Sequence, residues 1–429
     1  MIDDALAVFV SPAGRADAAG TQADPLGSVQ AGLAKAKGDG KRLYVCADGG
    51  DFDENLSLDN QLVGVAVWGG FKCDGWRFDA TLRATVAPTS GVPLTAKDVY
   101  VASSFQYMRF KAPQGVAEGE SSIAGFVANS TALSFERVEF IAQEGAKGAD
   151  GKRSDVTEAD LAPEGVDING RDGKLWTGGA SVEATCTRTG ESTTGGRGQD
   201  RDIPASPGLP TLDSPNPDGG SAGDGYCAQG QGGGVTGNPG APGESGDGAA
   251  AWGRLTVSAW TPASGEAGRY GQVGQGGGGG SMFETNTASA GGGGGAGGCG
   301  GAPGGAGGGG GASVALLLFN APVTLRDVQL TAADAGDGGA GHAGQVGLAG
   351  GERGKGIGCT GGRGGSGGDG GAGGGGAGGI SAGVLHVGTA PTRTGGHILV
   401  GQAGAAGPGG SADGSNAGIA GHAAEVVPL

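Results

Sequence analysis

Apolar residues in the first 150 positions fall in short runs that are separated by turns rich in Gly, Asp and Asn. Such runs predict short β-strands, and they lie at residues 8–10, 43–46, 55–58, 63–71, 99–101, 105–110, 124–127 and 134–141. Their spacing is short and irregular, and no long helical pattern lies between them. This pattern predicts a coiled stack of short strands.

One amphipathic helix interrupts the early strands. Leu26, Val29 and Leu33 mark one apolar face of this helix, because they recur at helical spacing. Asp24 is the predicted N-cap, and Pro25 suits the first helical position. A helix at the start of the stack is expected to cap its open end and to cover its apolar cross-section.

An internal repeat indicates that the stack continues further along the chain. Residues 135–140 (FERVEF) are echoed by residues 325–330 (LRDVQL), and residues 397–400 (HILV) look like a third copy. Each copy is followed by glycines at every third position. We expect strand rungs to alternate with glycine-rich excursions, and the run 314–319 (VALLLF) to be one of the most buried rungs.

Glycine accounts for 105 of the 429 residues, and much of it recurs at every third position, as in 237–246, 265–280 and 361–379. A period of three matches neither the α-helix nor the β-strand. It matches an extended left-handed helix with about three residues per turn. One face of such a helix is a bare glycine stripe, which lets another chain approach to backbone contact.

Three structures compete for these triplets: a collagen helix, a flexible linker and a bundle of polyglycine-II helices. Collagen needs uninterrupted triplets and Pro at about a fifth of positions, whereas this chain has 19 Pro and its phase slips after Gly300. A flexible linker does not require a regular phase. The bundle is favoured, and its glycine N–H groups should donate to neighbouring helices, because buried backbone groups must be paired.

Several motifs near the start of the chain carry a family resemblance. They are Gly20-Thr21, DPL at 24–26, SVQAGL at 28–33, LYVC at 43–46, the acidic turn DFDE at 51–54, and VWGGF at 67–71 with Cys73 and Trp76. In content and order they resemble secreted right-handed parallel β-helix (pectin-lyase-like) proteins of predatory soil bacteria. The glycine-rich part looks like polyglycine-II regions of surface proteins and adhesins. The resemblance implies a right-handed coil for the N-terminal part.

Together these patterns predict an all-β repeat fold. It consists of a right-handed parallel β-helix with an N-terminal capping helix, plus a bundle of polyglycine-II helices. Residues 1–151 are assigned to the β-helix with its cap, and residues 152–235 to an irregular, disulfide-closed loop region. Residues 236–429 are assigned to the glycine-rich bundle with interspersed β-helix rungs.

The net charge of −16, with a pI near 4.6, excludes some partner classes. Binding to a nucleic-acid backbone needs a basic surface, so neither nucleic acid nor an anionic membrane is an expected partner. The sequence has no run of 18 apolar residues, so no membrane insertion is expected. The oligomeric state is left open.

The chain has six cysteines, Cys46, Cys73, Cys186, Cys227, Cys299 and Cys359, and none lies in a CxxC spacing. An even, widely spread set indicates three disulfides and an oxidising compartment. We expect sequential pairing: Cys46–Cys73, Cys186–Cys227 and Cys299–Cys359. The alternative is six free buried thiols in a cytosolic protein. Paired cysteines predict an extracellular or cell-surface location, and because residues 1–4 do not form an export signal, we expect such a signal to have been removed.

Four aromatic residues outside the predicted core are candidates for ligand binding: Trp252, Trp260, Tyr226 and Tyr270. Aromatic rings of this kind can stack on sugar rings; otherwise they cover backbone. Trp252 and Trp260 flank a strand-like run at 255–257, so both are expected near one short hairpin.

The densest acidic run near the resembling rung is Asp48, Asp51, Asp53 and Glu54. Polysaccharide cleavage needs two carboxylates that flank the bond, so this run is the candidate for an enzyme; the alternative is a solvated turn. Residues 364–369 (GGSGGD) match the start of a calcium-binding β-roll repeat, but Gly371 replaces the required apolar residue. We therefore expect no metal site and no cofactor.

The function expected from the sequence is that of a non-enzymatic, secreted or cell-surface protein with a structural or adhesive role. A rigid polyglycine-II scaffold would present binding loops, one candidate being the segment 186–227. Expected partners are a cell-surface polysaccharide or another surface protein. The alternative is a polysaccharide-acting enzyme, or a carbohydrate-binding module, on a parallel β-helix.

Overall fold

The computed structural model describes residues 2–284 and 288–429, so Met1, part of the segment tested for an export signal, lies outside the described residues. Strands are numbered in chain order. Helical structure is confined to α1 (Val29–Asp39), α2 (Glu158–Leu161) and one 3₁₀ turn (Cys227–Gln229) within the described part of the chain. Most of the regular structure consists of strands in parallel sheets.

Three parallel sheets hold most of the strands. The first has seven strands: β1 (Ala7–Arg15), β2 (Arg42–Cys46), β4 (Ala66–Phe71), β7 (Ser103–Gln106), β10 (Leu133–Glu136), β17 (Thr324–Arg326) and β20 (Thr392–Thr394). The second has five: β5 (Ala84–Val86), β8 (Met108–Lys111), β11 (Glu139–Ile141), β18 (Gln329–Thr331) and β21 (His397–Leu399). The third has six: β3 (Leu56–Leu58), β6 (Leu94–Lys97), β9 (Ser122–Ala128), β16 (Ser313–Phe319), β19 (Ser381–Val387) and β22 (Ala423–Pro428).

Two antiparallel hairpins lie outside these sheets. One is formed by β12 (Val182–Thr185) and β13 (Ser192–Gly195), and the other by β14 (Gly253–Leu255) and β15 (Trp260–Pro262). Both hairpins belong to the long segment that separates β11 from β16 along the chain. They are therefore carried by a glycine-rich excursion rather than by the parallel sheets.

From β7 onward the chain visits the first, second and third sheets in a fixed cyclic order. Three long excursions interrupt this path, at residues 142–312, 332–380 and 400–422. Each leaves a strand of the second sheet and returns to a strand of the third sheet. All three glycine-rich excursions thus emerge at the same corner of the stack.

The other two corners are turned by residues with left-handed backbone conformation. Asn129 and Asn320 have φ of 48° and 49° between the third and first sheets. Tyr107 and Arg137 have φ of 55° and 51° between the first and second sheets. Asn tolerates this region, whereas Tyr and Arg seldom adopt it. The N–H of Tyr107 donates to Glu136 O, and that of Arg137 donates to Arg326 O, so both corner residues bond to the end of the strand one turn further on.

The repeated sequences pair with each other across successive turns. Phe135 lies opposite Leu325, and Phe140 lies opposite Leu330. The third copy follows, since Leu330 lies opposite Ile398. These side chains are buried, so the repeat marks equivalent core positions. The predicted rung at 314–319 is likewise buried, apart from a half-buried Phe319.

Helix α1 covers the N-terminal end of the stack, with Val29, Leu33 and Ala36 buried. The predicted N-cap is wrong: it is Ser28, whose Oγ accepts the N–H of Ala31, rather than Asp24. The reason is that residue 26 still forms a bridge to β1, so the backbone becomes helical only beyond it.

The glycine-rich excursions hydrogen-bond to each other through their backbones at steps of three residues. In the segments 291–311 and 361–379, the N–H of Gly298 donates to Gly365 O at 2.8 Å and that of Gly301 donates to Gly368 O at 2.9 Å. The same step continues along both segments. Residues 290–302 are buried without exception, so their backbone groups are satisfied by neighbouring backbone rather than by water.

Segment 361–379 has further backbone neighbours. It donates to 336–354 and to 266–275, and it accepts from 237–249. Gly367 illustrates the resulting contact: its N–H donates to Leu348 O at 2.8 Å, and a methyl group on its Cα would overlap the carbonyl of Cys299. The bare glycine stripe is therefore a contact surface.

Three disulfides are present, Cys46–Cys73, Cys186–Cys299 and Cys227–Cys359. The first agrees with the expected pairing. The pairings Cys186–Cys227 and Cys299–Cys359 are wrong, and residues 186–227 are not a loop closed on itself. Distant segments become neighbours in the glycine-rich part, so proximity in sequence does not decide which cysteines meet.

Residues 152–235 pack on the glycine-rich segments. The N–H of Gly170 donates to Glu352 O, and that of Gly196 donates to Gly277 O. Within the described ranges, no helix is long and apolar enough to cross a bilayer.

Candidate functional site

The hairpin β14–β15 lies against the outward face of the third sheet and leaves a cavity of about 330 Å³ between them. Pockets for small ligands typically have volumes of about 300–1,000 Å³, so this one suits a ligand of one or two rings. Its lining residues are Val92, Gly119, Glu120, Ser121, Ile123, Phe126, Ser258, Ala259, Trp260, Pro262 and Leu317.

Trp260 forms part of this lining and packs in one apolar cluster with Phe126 and Leu317. The residue is 9% exposed. Its Nε1–H is buried and has no acceptor among the residues that the structure describes. The indole N–H can only donate, and a buried donor normally has a partner. This orphaned donor distinguishes Trp260 from the other candidate aromatics.

Glu120 supplies the charge of the cavity lining. Its carboxylate accepts the N–H of Val116 at 2.8 Å and that of Ala117 at 2.9 Å. These two bonds hold the pKa of Glu120 below its ordinary value, and the bond from Ala117 has the larger effect. Burial opposes them only slightly. The side chain is therefore a carboxylate at neutral pH, held in place by its own turn.

Trp252 has a different role from Trp260. Its Nε1–H donates to Ala420 O at 2.9 Å, and its ring stacks on His422 with centroids 5.2 Å apart. Both partners lie on the last excursion, 400–422. Trp252 therefore ties the hairpin to a neighbouring segment, which satisfies its polar atom.

Tyr226 and Tyr270 do not join the Trp260 cavity. Tyr226 lines a separate cavity of about 310 Å³ with Gln199 and Asp224. Tyr270 is half-buried on a glycine-rich segment, where its neighbour Arg269 pairs with Glu244 at 3.4 Å. The two tyrosines thus lie apart from the hairpin, where Trp252 and Trp260 pack against one apolar cluster, as expected from the sequence.

The acidic run is engaged in holding the backbone. Glu54 accepts the Ser28 hydroxyl at 2.7 Å and the N–H of Val29 at 2.6 Å, so it satisfies the N-terminus of α1. Asp48 and Asp53 each accept a backbone N–H from a turn. Three of the four carboxylates in this run therefore have structural roles, because they accept hydrogen bonds from backbone N–H groups.

Asp51 lines a small cavity of about 230 Å³ together with Phe52, Asp53 and Glu54. Two of the three carboxylates in this cavity, those of Asp53 and Glu54, are already bonded to backbone N–H groups.

Asp369, in the partial calcium motif, accepts the N–H of Gly347 at 3.0 Å. Among the described residues, no group of three or more His, Cys, Asp or Glu is placed to hold a metal ion.

Sequence reasoning identified Trp260 but missed the residues that complete its cavity. Glu120 and Phe126 precede the first long excursion, and Leu317 follows it. Nothing in the local sequence of these residues marks them. Successive side chains of a strand point to opposite faces, so the nearly continuous apolar runs of β9 and β16 also place apolar side chains on the outward face. That property of the strands was the one available signal.

Comparisons with protein-family models, with curated proteins and with solved structures find no match to this chain.

Proposed function

We propose that this chain is a non-enzymatic, secreted or cell-surface protein with a structural or adhesive role. In this proposal the three parallel sheets form a right-handed parallel β-helix, and the excursions form a polyglycine-II bundle. The carrying observation is the three-residue step of backbone hydrogen bonds between segments such as 291–311 and 361–379. A body cross-linked in this way suits a rigid support for exposed binding loops.

The polyglycine-II interpretation is supported by the placement of the glycines. Segment 361–369 reads GGRGGSGGD, and its side chains at Arg363, Ser366 and Asp369 are exposed while most of its glycines face other segments. A helix of three residues per turn aligns every third residue on one face. A segment with this sequence therefore has two faces that consist of glycine and contact other segments, and one face that carries side chains into solvent.

An extracellular location is supported by the three disulfides. Disulfides persist in oxidising compartments and are rare in the cytosol. The acidic net charge of −16 favours partners other than nucleic acid. A cell-surface polysaccharide is the preferred partner class, because the Trp260 cavity offers aromatic and polar groups together.

A binding rather than a catalytic role is supported by the use of the acidic run. General acid–base chemistry needs carboxylates free to exchange protons with a substrate. Glu54 and Asp53 are bonded to the helix terminus and to a turn instead. Their positions are explained without a reaction.

The test is incubation of the purified protein with a panel of cell-wall and extracellular polysaccharides, with pull-down and release of new chain ends followed together. We expect at least one polysaccharide to be retained without new chain ends. Retention by none would contradict the adhesive role. New chain ends that disappear in Asp51→Asn would contradict the non-enzymatic role.

A further inference from the structure

The Trp260 cavity combines an apolar wall, two serine hydroxyls and a single carboxylate. From these features we propose that it binds one amino-sugar ring of a polysaccharide, with a free ammonium group on the sugar. This proposal rests on the proposed function and names the ligand class of that same site. Each feature constrains the ligand in a different way.

The apolar wall calls for a ligand with an apolar face. Phe126, Leu317 and Trp260 belong to one buried cluster, and Val92 and Ile123 extend the lining. The C–H face of a pyranose ring stacks on such surfaces, and aromatic rings supply most of the contact area. A fully hydrated inorganic ion would lose solvation against this wall without compensation.

The polar part of the lining calls for an oxygen on the ligand. Ser121 and Ser258 line the cavity, and a serine hydroxyl can donate as well as accept a hydrogen bond. A hydroxyl or ring oxygen of a sugar accepts such a bond, whereas a lysine side chain or an alkylammonium ion has no acceptor.

The carboxylate selects the charge of the ligand. Among the residues that line the cavity, Glu120 is the charged one. Glu118 is not part of the lining. Lys97 is turned to the ring of Phe126, with Nζ 5.8 Å from the ring centroid, and it is not part of the lining. An ammonium group is therefore attracted, and a uronate is repelled.

Glu120 is also preorganised for this role. Both of its backbone bonds, from Val116 and Ala117, reach Oε2. They hold the carboxylate in one place, so a ligand bond to Oε1 requires little further ordering. Preorganisation of this kind lowers the cost of binding.

The experiment compares three oligomers of equal length: glucosamine, N-acetylglucosamine and galacturonate. Their affinities are measured by calorimetry on the full chain. We expect the glucosamine oligomer to bind at least about tenfold more tightly than the acetylated one, since a charge-assisted hydrogen bond is lost on acetylation. Galacturonate should not bind at the cavity.

Two variants locate the site. Glu120→Gln should remove the preference for glucosamine over its acetylated form, and Trp260→Phe should weaken binding of both. Glu118→Gln and Trp252→Phe are the matched controls and should retain the preference. Unchanged melting temperatures establish that the variants are folded.

Equal affinity for the two glucosamine oligomers, or a preference that survives Glu120→Gln, would overturn the proposal. If another polysaccharide binds and neither cavity variant weakens it, this inference fails while the adhesive role stands. If no polysaccharide of the wider panel binds, the adhesive role itself fails.

Discussion

Ser313 and Ser381 lie opposite each other at the starts of β16 and β19, and the hydroxyls of both are bonded to the same residue, Ala333. Ser313 Oγ accepts the N–H of Ala333 at 2.9 Å, and Ser381 Oγ donates to its carbonyl at 2.8 Å. Ser122 holds the equivalent place one turn earlier, and its Oγ accepts the N–H of Gln143. This row of buried serines fixes the corner from which the glycine-rich excursions emerge.

Ser313→Ala should destabilise the fold because two buried backbone groups lose a partner. Ser313 Oγ also donates to Gln143 O at 2.8 Å, and the residue is fully buried. We expect a loss of about 1–3 kcal/mol in the free energy of unfolding. Urea denaturation measures it, with the exposed Ser366→Ala as control. Equal unfolding midpoints for the two variants would show that the serine row has no structural role.

The disulfides offer a direct check on how the segments are placed. Proteolysis of the unreduced protein, followed by mass spectrometry, should yield peptides linked through Cys186–Cys299 and through Cys227–Cys359. Cys46–Cys73 serves as the internal standard, since it is short-range and independent of the glycine-rich part. Peptides linked through Cys186–Cys227 would contradict the packing of hairpin β12–β13 on the segment that carries Cys299.

Acidification should weaken the contact between glycine-rich segments. The pKa of Asp150 lies below its ordinary value, first because of the hydrogen bond from Lys147 and then because of the N–H of Ala340 on a neighbouring segment. A lowered folded-state pKa means that the stabilisation is present above the unfolded pKa, about 4, and is lost as the pH falls through the folded value. The pKa shifts in the same direction for Asp79, Glu120, Asp160, Asp167 and Asp413.

We therefore expect the urea midpoint to stay constant from pH 7 to about 5 and to fall below about pH 4. Asp150→Asn should make this fall shallower, and the exposed Asp247→Asn should not. A midpoint that rises on acidification, or an Asp150→Asn curve identical to that of the parent protein, would contradict the assigned contacts.

The sequence was most informative where side chains alternate or repeat. The rungs around Phe135 and Leu325 were found because both carry the same pattern, and the structure pairs them. The density of glycine along a segment also correlates with how completely that segment is buried. The segment 291–302, which consists entirely of Gly, Ala and Cys, is buried on every side, whereas 361–369 keeps one exposed row.

What the sequence did not reveal depends on which segments become neighbours. Glycine stripes carry no side chains, so any stripe fits any other, and the register between Gly298 and Gly365 leaves no local signal. The wrong predictions of Cys186–Cys227 and Cys299–Cys359 pairs have this cause. The Trp260 cavity has the same origin, because it forms where the excursion between β11 and β16 places its hairpin on paired strands of the third sheet.

The central claim is that the glycine stripes are packed contact surfaces, and the substitution of neighbouring residues tests it most directly. A side chain at Gly367 would overlap the backbone of Cys299, whereas Ser366 is exposed. Gly367→Val should lower the free energy of unfolding by about 3 kcal/mol or more, because the backbone contact cannot accommodate the added carbons. Ser366→Val should change it by less than about 0.5 kcal/mol. Urea unfolding of the two variants beside the parent protein gives both values, and equal effects would contradict the packed-stripe account.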